Sequence, residues 1–157
     1  MDRFVPRPHR LGEIYANYSP PLYFVTFCTA GRQRLLASVA CHEAFVEYAG
    51  KALHLASVAV GRYVIMPEHV HLFLRGPEGF TLGTWIRGLK RSLSLASMER
   101  GGASVAWQSG YFDHIIRHSE SYREKWAYVR ENPVRAGLVS RAEEWPYQGE
   151  ITVIDRA

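Results

Sequence analysis

The stretch that decides the fold is HVHLFLR, residues 69–75. Successive side chains of a β-strand point to opposite faces, so His69 and His71 share one face. Val70 and Leu72 point to the other face, where their apolar side chains predict contact with helices and a central position in a sheet. Two imidazoles side by side on a rigid strand are typical of a divalent metal site. Two histidines exposed on a sheet face are the alternative that the pattern leaves open.

The segments around this strand alternate between strand and helix. Aromatic and β-branched residues predict strands at residues 22–29, 54–66 with a bulge at Gly61, and 111–117, where an irregular connection is the alternative. Apolar residues at helical spacing predict helices at residues 40–53 and 81–100, and a capping box at Ser121 predicts the start of a third. This order predicts an α+β fold: a ferredoxin-like antiparallel sheet, helices packed on one face, and the paired histidines on a central strand.

The length of 157 residues predicts a single domain covering residues 1–157. Four prolines within residues 1–21 predict a basic, irregular N-terminal arm, because proline removes backbone donors and fixes φ. The arm is either a frayed terminus or a contact for a phosphate backbone through Arg3, Arg7 and Arg10. We assign the core to residues 22–147 and a tail to residues 148–157.

The composition excludes several classes of protein. Hydrophobic residues make up 47% and charged residues 22%, which is typical of a globular domain and not of a disordered chain or a coiled coil. No apolar run approaches the roughly 18 residues of a membrane span, and the charged, proline-containing start does not match a signal peptide. Cys28 and Cys41 have neither disulfide-framework nor metal-site spacing. We therefore expect reduced thiols, a cytoplasmic location and no membrane partner.

Positive charge is concentrated in one part of the chain. The net charge is +4, and residues 87–135 hold nine Lys or Arg against five Asp or Glu, which is again +4. This distribution favours a polyanionic partner. Arg87, Lys90 and Arg91 share one face of the predicted second helix. A basic face that is simply solvated is the alternative.

A second candidate cluster lies near the end of the predicted third helix. Tyr128 and Asn132 are four residues apart and so share a helix face, which allows a nucleophile beside an amide-oxygen ligand for a hard metal ion. Asn132 followed by Pro133 is also the N-cap pattern of a short helix ending at Gly137. Tyr128 has packing as its alternative role. Tyr122 points to a different face, because six residues correspond to about 600° of helical rotation.

Three sequence motifs resemble those of a known protein family. YVIMPEHVH, residues 63–71, resembles the His-hydrophobe-His (HUH) signature of single-strand, single-tyrosine transposases. YVRENPVRAGLV, residues 128–139, resembles their catalytic-tyrosine segment, and YFVTFCT, residues 23–29, resembles their first strand. Shorter matches occur at residues 107–108, 111–114 and 145–147. The resemblance is greatest to the REP-associated tyrosine transposases and spans about residues 20–147.

The resemblance implies a function and a site. It implies a metal-dependent single-stranded DNA endonuclease and strand transferase that acts at hairpin-associated sites through a 5′-phosphotyrosine intermediate. His69 and His71 fall on the metal-binding histidines, and Tyr128 falls on the nucleophile. Asn132 falls where relatives have a Gln or Asn metal ligand. Glu68 stands where many relatives have Asn, and no role is carried over to it.

The resemblance also implies partners and a cofactor. The cofactor is Mg²⁺ or Mn²⁺, and the partner is single-stranded or hairpin DNA, bound by a monomer or a homodimer. The candidates for contacting DNA phosphates are Arg87, Lys90, Arg91, Arg32 and Arg34. The alternative function is a domesticated hairpin-DNA-binding protein with little or no cleavage activity.

Overall fold

The computed structural model describes residues 9–10, 20–99, 101–102 and 104–154. The strands are β1 (His9–Arg10), β2 (Leu22–Cys28), β3 (Ala59–Ile65), β4 (His69–Arg75), β5 (Phe112–Ile116), β6 (Gln148–Glu150) and β7 (Thr152–Val153). The helices are α1 (Val39–Ala56), α2 (Leu82–Glu99), α3 (Ser119–Arg130) and α4 (Asn132–Arg135), with 3-10 turns at Ala30–Arg32 and Ala142–Glu144. Arg3, Arg7 and the side chain of Arg10 lie outside the described part, so the predicted role of the arm stays a prediction.

Five antiparallel strands form the main sheet, in the order β5-β2-β4-β3-β6. The strand that carries the paired histidines is the third of five, which confirms its predicted central position. From β2 to β5 the elements follow the βαββαβ order of ferredoxin-like folds, and the predicted α+β class is confirmed. The predicted irregularity near Gly61 is present as a shift in the β3–β4 pairing register between Val60 and Tyr63.

One face of the main sheet is covered by α1 and α2. Val25, Val70 and Leu72 of the sheet are fully buried there against Phe45 of α1 and Leu89 of α2. Complete burial of a large apolar side chain contributes about 1.5–3 kcal/mol. This layer therefore makes β4 the rigid support that its apolar residues predict.

The opposite face, which carries the histidines, is covered in part by α3. Phe24 and Phe73 form a second apolar cluster there with Tyr122 and Val129 of α3. The ring centroids of Phe73 and Tyr122 are 4.6 Å apart. The prediction that the helices share one face therefore holds for α1 and α2 and is wrong for α3. Without α3 the apolar surface beside the histidines would face water, so the hydrophobic effect places a helix on that face.

The boundary between α1 and β3 differs from the prediction. The helix continues to Ala56, and β3 begins at Ala59 instead of residue 54. Ser57 ends the helix in the left-handed conformation, with φ 53°, and the N–H of Val58 donates to the carbonyl of Ala52. These backbone groups close the helix end and are unavailable to the sheet.

The start of α3 also differs from the prediction. Its N-cap is His118, without a side-chain capping bond. The N–H of Tyr122 already donates to the carbonyl of His118 at 3.1 Å, so Ser121 lies within the first turn and the predicted capping box is wrong. The helix ends at Arg130, before Pro133, as predicted.

Residues 148–154, which we assigned to a tail, take part in both sheets. β6 pairs with β3 at one edge of the main sheet, and β7 pairs in parallel with β1. Ile151 and Ile154 are buried, one in each apolar cluster. Among the described residues, no helix combines the length and the apolar character needed to cross a bilayer.

Candidate active site

The two histidines of β4 lie side by side on one face of the sheet. The ring centroids of His69 and His71 are 4.7 Å apart, with 78° between the ring planes. Val70 lies between them and is fully buried on the other face, as strand alternation predicts. The ring of His71 also stacks on Phe24, with 5.4 Å between centroids and 15° between planes. Packing of the sheet therefore fixes the positions of both imidazole rings.

Each imidazole has a polar partner at its Nδ1 atom. Thr26 Oγ1 lies 2.7 Å from His71 Nδ1, and the β2–β4 register places these two residues directly opposite each other. Glu68 Oε1 lies 3.0 Å from His69 Nδ1. Interactions of this kind orient metal-binding histidines and fix their tautomer. Nε2 is then the nitrogen of each ring that can bind a metal ion.

The surroundings favour the neutral form of both rings. Burial lowers the pKa of His71 to about 3, and the charges of His69, Lys125 and Arg135 act in the same direction. Burial also lowers the pKa of His69, although Glu68 acts in the opposite direction. Metal ions bind neutral imidazole, so this protonation state fits a divalent cation.

Two histidines alone do not complete a metal site. In the described part of the chain, no group of three or more His, Cys, Asp or Glu side chains is placed to hold a metal ion. Further ligands would be oxygen atoms of an amide, of water or of a DNA phosphate, which Mg²⁺ and Mn²⁺ favour. Asn132 offers such an amide oxygen, and its role as a ligand stays a prediction.

Tyr128 lies on the last turn of α3 with 64% of its surface exposed. Arg135 reaches back to it from α4, and the guanidinium carbon is 4.1 Å from the centroid of the Tyr128 ring. Arg135 Nη2 also donates to the carbonyl of Tyr128 at 2.7 Å and to Asn132 Oδ1 at 2.6 Å. One side chain thus joins Tyr128 and Asn132 in a single cluster.

The predicted N-cap role of Asn132 is wrong. The helix α4 begins at Asn132 itself, and its N-cap is Glu131, without a side-chain capping bond. Glu131 has a helical backbone conformation, with φ −82° and ψ −5°, so α4 follows α3 almost without a break. The side chain of Asn132 is therefore bound by Arg135 and not by the start of a new helix.

The segment formed by α3 and α4 lies close to the histidine pair. Lys125 and Arg135 are close enough to His71 for their positive charges to help lower its pKa. Lys125 Nζ lies 4.9 Å from the centroid of Phe24, the ring that stacks on His71. The tertiary structure thus places the Tyr128 cluster and the histidines on the same face of the sheet.

Tyr122 occupies a different environment from Tyr128. It is buried, and its hydroxyl accepts a hydrogen bond from the backbone N–H of Arg62 at 3.3 Å. The two tyrosines point to different sides of α3, as their spacing predicts. Only Tyr128 is accessible to a substrate.

The predicted basic face of α2 divides into two parts. Lys90 Nζ donates to the carbonyls of Gln108 at 3.1 Å and Gly110 at 2.6 Å, and burial lowers its pKa. Lys90 therefore anchors the segment that leads into β5. Arg87 and Arg91 are exposed on α2, on the face of the sheet opposite the histidines. Neither arginine lines the candidate active site.

The other two predicted arginines lie beside the histidine pair. Arg34 Nη1 is 3.8 Å from Glu68 Oε2, and Arg32 helps to lower the pKa of His69, an effect that burial dominates. Both arginines are exposed. The structure therefore brings Arg32 and Arg34 to the site and leaves Arg87 and Arg91 away from it.

Sequence reasoning missed three polar residues of the site. Glu68 has a local signal, because it directly precedes His69 at the start of the strand. Thr26 has none, since only the β2–β4 register brings it to His71. Arg135 carries a weak signal in its spacing from Tyr128, but its contacts depend on the near-continuous path of α3 and α4.

The sequence profile of the family described as IS200-like transposases matches residues 19–132. A REP-associated tyrosine transposase of Escherichia coli (strain K12) is 32% identical over 91 residues, which cover 56% of this chain and 52% of that protein. The chain thus spans about half the length of this relative. An uncharacterised Haemophilus influenzae protein is 23% identical, over 75% of this chain and 83% of its own length.

A solved structure has a similar fold. It is described as the REP-associated tyrosine transposase bound to a REP hairpin, with a TM-score of 0.67 and 21% sequence identity. The similarity covers 94% of this chain and 82% of that one. Because the profile match covers most of the chain, this protein belongs to the family of IS200-like transposases.

Proposed function

We propose that this transposase cuts and rejoins single-stranded DNA at hairpin-associated sites, with Tyr128 as the nucleophile and a divalent metal ion at His69 and His71. One observation carries the proposal: an exposed tyrosine and two oriented, neutral imidazoles lie on the same face of one rigid sheet. The solved relative bound to a REP hairpin supports hairpin DNA as the substrate class.

The reaction is a transfer of one phosphodiester to a new alcohol. The phenolic oxygen of Tyr128 attacks the phosphorus and forms an O–P bond, while the bond from phosphorus to the 3′-oxygen breaks. The phenol loses its proton, and the departing 3′-oxygen gains one, so the products are a 5′-phosphotyrosine and a 3′-hydroxyl. One ester replaces another, so the strand is rejoined by the reverse transfer without ATP. Covalent catalysis divides the exchange into two steps of this kind.

The residues around the pair have separate tasks. Thr26 and Glu68 hold the imidazoles with Nε2 as the metal-binding nitrogen, and Asn132 offers an amide oxygen. A divalent ion held there would polarise the scissile phosphate and offset the negative charge on its oxygens. In this proposal Arg32 and Arg34 bind phosphates beside the site, and Arg135 holds Tyr128 and Asn132 together.

The direct test is incubation of a labelled DNA hairpin carrying a single-stranded flank, with and without Mg²⁺. The expected products are a shortened strand and a protein–DNA adduct that survives denaturing electrophoresis. Binding of the hairpin without any adduct in Mg²⁺ or Mn²⁺ would instead support a DNA-binding protein that has lost cleavage activity.

Replacing Arg135 should slow the chemistry more than it weakens binding. Arg135→Ala removes the ring contact and the bonds to Tyr128 and Asn132, together worth about 1–2 kcal/mol at a partly exposed site. We expect adduct formation at saturating DNA to slow by about 5- to 30-fold. Arg135→Lys keeps the charge and loses the planar contact, so its rate should fall as well. A fully active lysine variant would show that only the charge matters.

Two neighbouring residues of α2 should behave differently. Arg87 lies away from the candidate active site, so a phosphate that it binds belongs to a more distant part of the hairpin. Loss of that one contact in Arg87→Ala should weaken hairpin binding across sequences and reduce the slope of log K against log salt by about 0.7–0.9. Lys90→Ala should instead cost about 1 kcal/mol of stability, since the carbonyls of Gln108 and Gly110 lose their donor. Salt titrations and melting curves of both variants separate the two roles. An unchanged salt slope for Arg87→Ala would remove that residue from the DNA contact surface.

A further inference from the structure

An exposed aromatic ring stands at the edge of the main sheet. Phe112 is 70% exposed and opens β5, the outermost strand beside β2. Single exposed apolar residues are ordinary on protein surfaces, so exposure alone indicates no role. The position of this ring relative to the histidines is what separates it from other exposed residues.

The strand register places Phe112 in one row with His71. Phe112 is paired with Thr26 on β2, and Thr26 is paired with His71 on β4. Residues directly opposite one another in neighbouring strands point to the same face. Two strand spacings separate the backbones of Phe112 and His71 by about 10 Å. The ring therefore lies on the face of the proposed active site, beside the residue that orients His71.

The two faces of β5 differ in chemistry. Phe112 and His114 point to the histidine face, whereas Asp113 and Ile115 alternate to the face of α1 and α2. On the histidine face, Lys125 lies over the Phe24 ring, and Phe24 is paired with His114. The histidine face therefore carries both the aromatic ring of Phe112 and the cation of Lys125, whereas the carboxylate of Asp113 points to the opposite face.

An aromatic ring close to positively charged side chains is typical of a binding site for unpaired DNA. Single-stranded nucleic acid binds through phosphates at Lys or Arg and through bases stacked on aromatic rings. A distance of about 10 Å corresponds to roughly three stacked nucleotides and to fewer in an extended strand. A strand whose scissile phosphate lay at the histidines would bring a neighbouring base over Phe112.

We propose that Phe112 stacks on an unpaired base of the flank, within about three nucleotides of the scissile phosphate. This inference rests on the proposed function and assigns a binding site for the single-stranded part of the substrate. Pairing of β5 with the edge of a second copy is disfavoured, because the strand is short and carries Asp113 at its second position.

The test measures DNA affinity in the Tyr128→Phe background, so that no strand is cut. The probes are a DNA hairpin with a single-stranded flank of mixed sequence and the same hairpin without a flank. Phe112→Ala should weaken binding of the flanked hairpin by about 5- to 150-fold, the value of one stacked base, and leave the blunt hairpin unchanged. Phe112→Trp should bind the flanked probe like the parent. Ile115→Ala is the matched control, since it is exposed on the other face of the same strand.

Abasic substitutions along the flank locate the stacked base. In the parent protein, one abasic position should reduce affinity, and that loss should be absent in Phe112→Ala, because the two changes remove the same contact. If Phe112→Ala does not fold, Phe112→Leu replaces it, since leucine keeps an apolar side chain and lacks the π face. Equal loss of affinity for both hairpins, or no loss for either, would overturn the inference and leave the proposed function standing.

Two further outcomes are informative. A parent protein that binds neither probe would overturn the proposed function, and the inference with it. A dimeric parent that becomes monomeric in Phe112→Ala, with unchanged affinity for the flank, would identify the ring as an interface between copies and overturn the stacking role. Sedimentation velocity on both proteins measures this directly.

Discussion

Tyr128→Phe is expected to reduce strand cleavage and adduct formation together to the uncatalysed background. The substitution removes one oxygen atom, and without it no bond to phosphorus can form. The tyrosine side chain is largely exposed and the substitution changes almost no volume, so stability and hairpin affinity should stay close to wild type. Denaturing gels measure the adduct, and equilibrium binding to the same hairpin measures affinity.

Tyr122→Phe is the matched control on the same helix. It removes the acceptor of the Arg62 N–H and should cost about 1 kcal/mol of stability while cleavage continues. If Tyr128 were only a packing residue, Tyr128→Phe would show a small loss of stability and normal cleavage. Adduct formation by a folded Tyr128→Phe protein would assign the nucleophile to another residue.

His69→Ala and His71→Ala are expected to lower cleavage by about 100-fold or more each, because the ion that offsets phosphate charge is worth several kcal/mol in the transition state. Affinity for the hairpin should change much less, since the proposed phosphate contacts lie on other residues. Chelation with EDTA should produce the same loss in the wild-type protein, and added Mg²⁺ or Mn²⁺ should restore it. Undiminished cleavage in EDTA would refute the metal site.

The polar partners of the histidines provide a graded version of this test. Thr26→Val removes the Oγ1 atom beside His71 Nδ1, and Glu68→Gln removes the carboxylate beside His69 Nδ1. Loss of such partners usually costs about 10–100-fold in metal affinity. Both variants should therefore recover cleavage at higher Mg²⁺ concentrations, whereas the alanine variants of the histidines should not. A binding isotherm with Mn²⁺ checks this without relying on activity.

The sequence by itself determined the local features of this protein. Alternation along residues 69–75 predicted β4 with its bounds and both faces, because side-chain direction in a strand depends only on position. The separation of Tyr122 from Tyr128 followed from helical geometry, because both residues lie on α3. These inferences are reliable since each depends on a single element and its period.

The tertiary structure alone decided how these elements meet. α3 lies on the histidine face because Phe24 and Phe73 leave an apolar surface there that only a distant segment can cover. Thr26 reaches His71 through the pairing of strands far apart in the chain. Lys90, whose role as a DNA contact stays a prediction, donates to two backbone carbonyls of the segment before β5, a contact that its helical face did not predict. Such contacts depend on which apolar surfaces and polar groups the neighbouring elements leave uncovered. The periodicity of the local sequence does not reveal this.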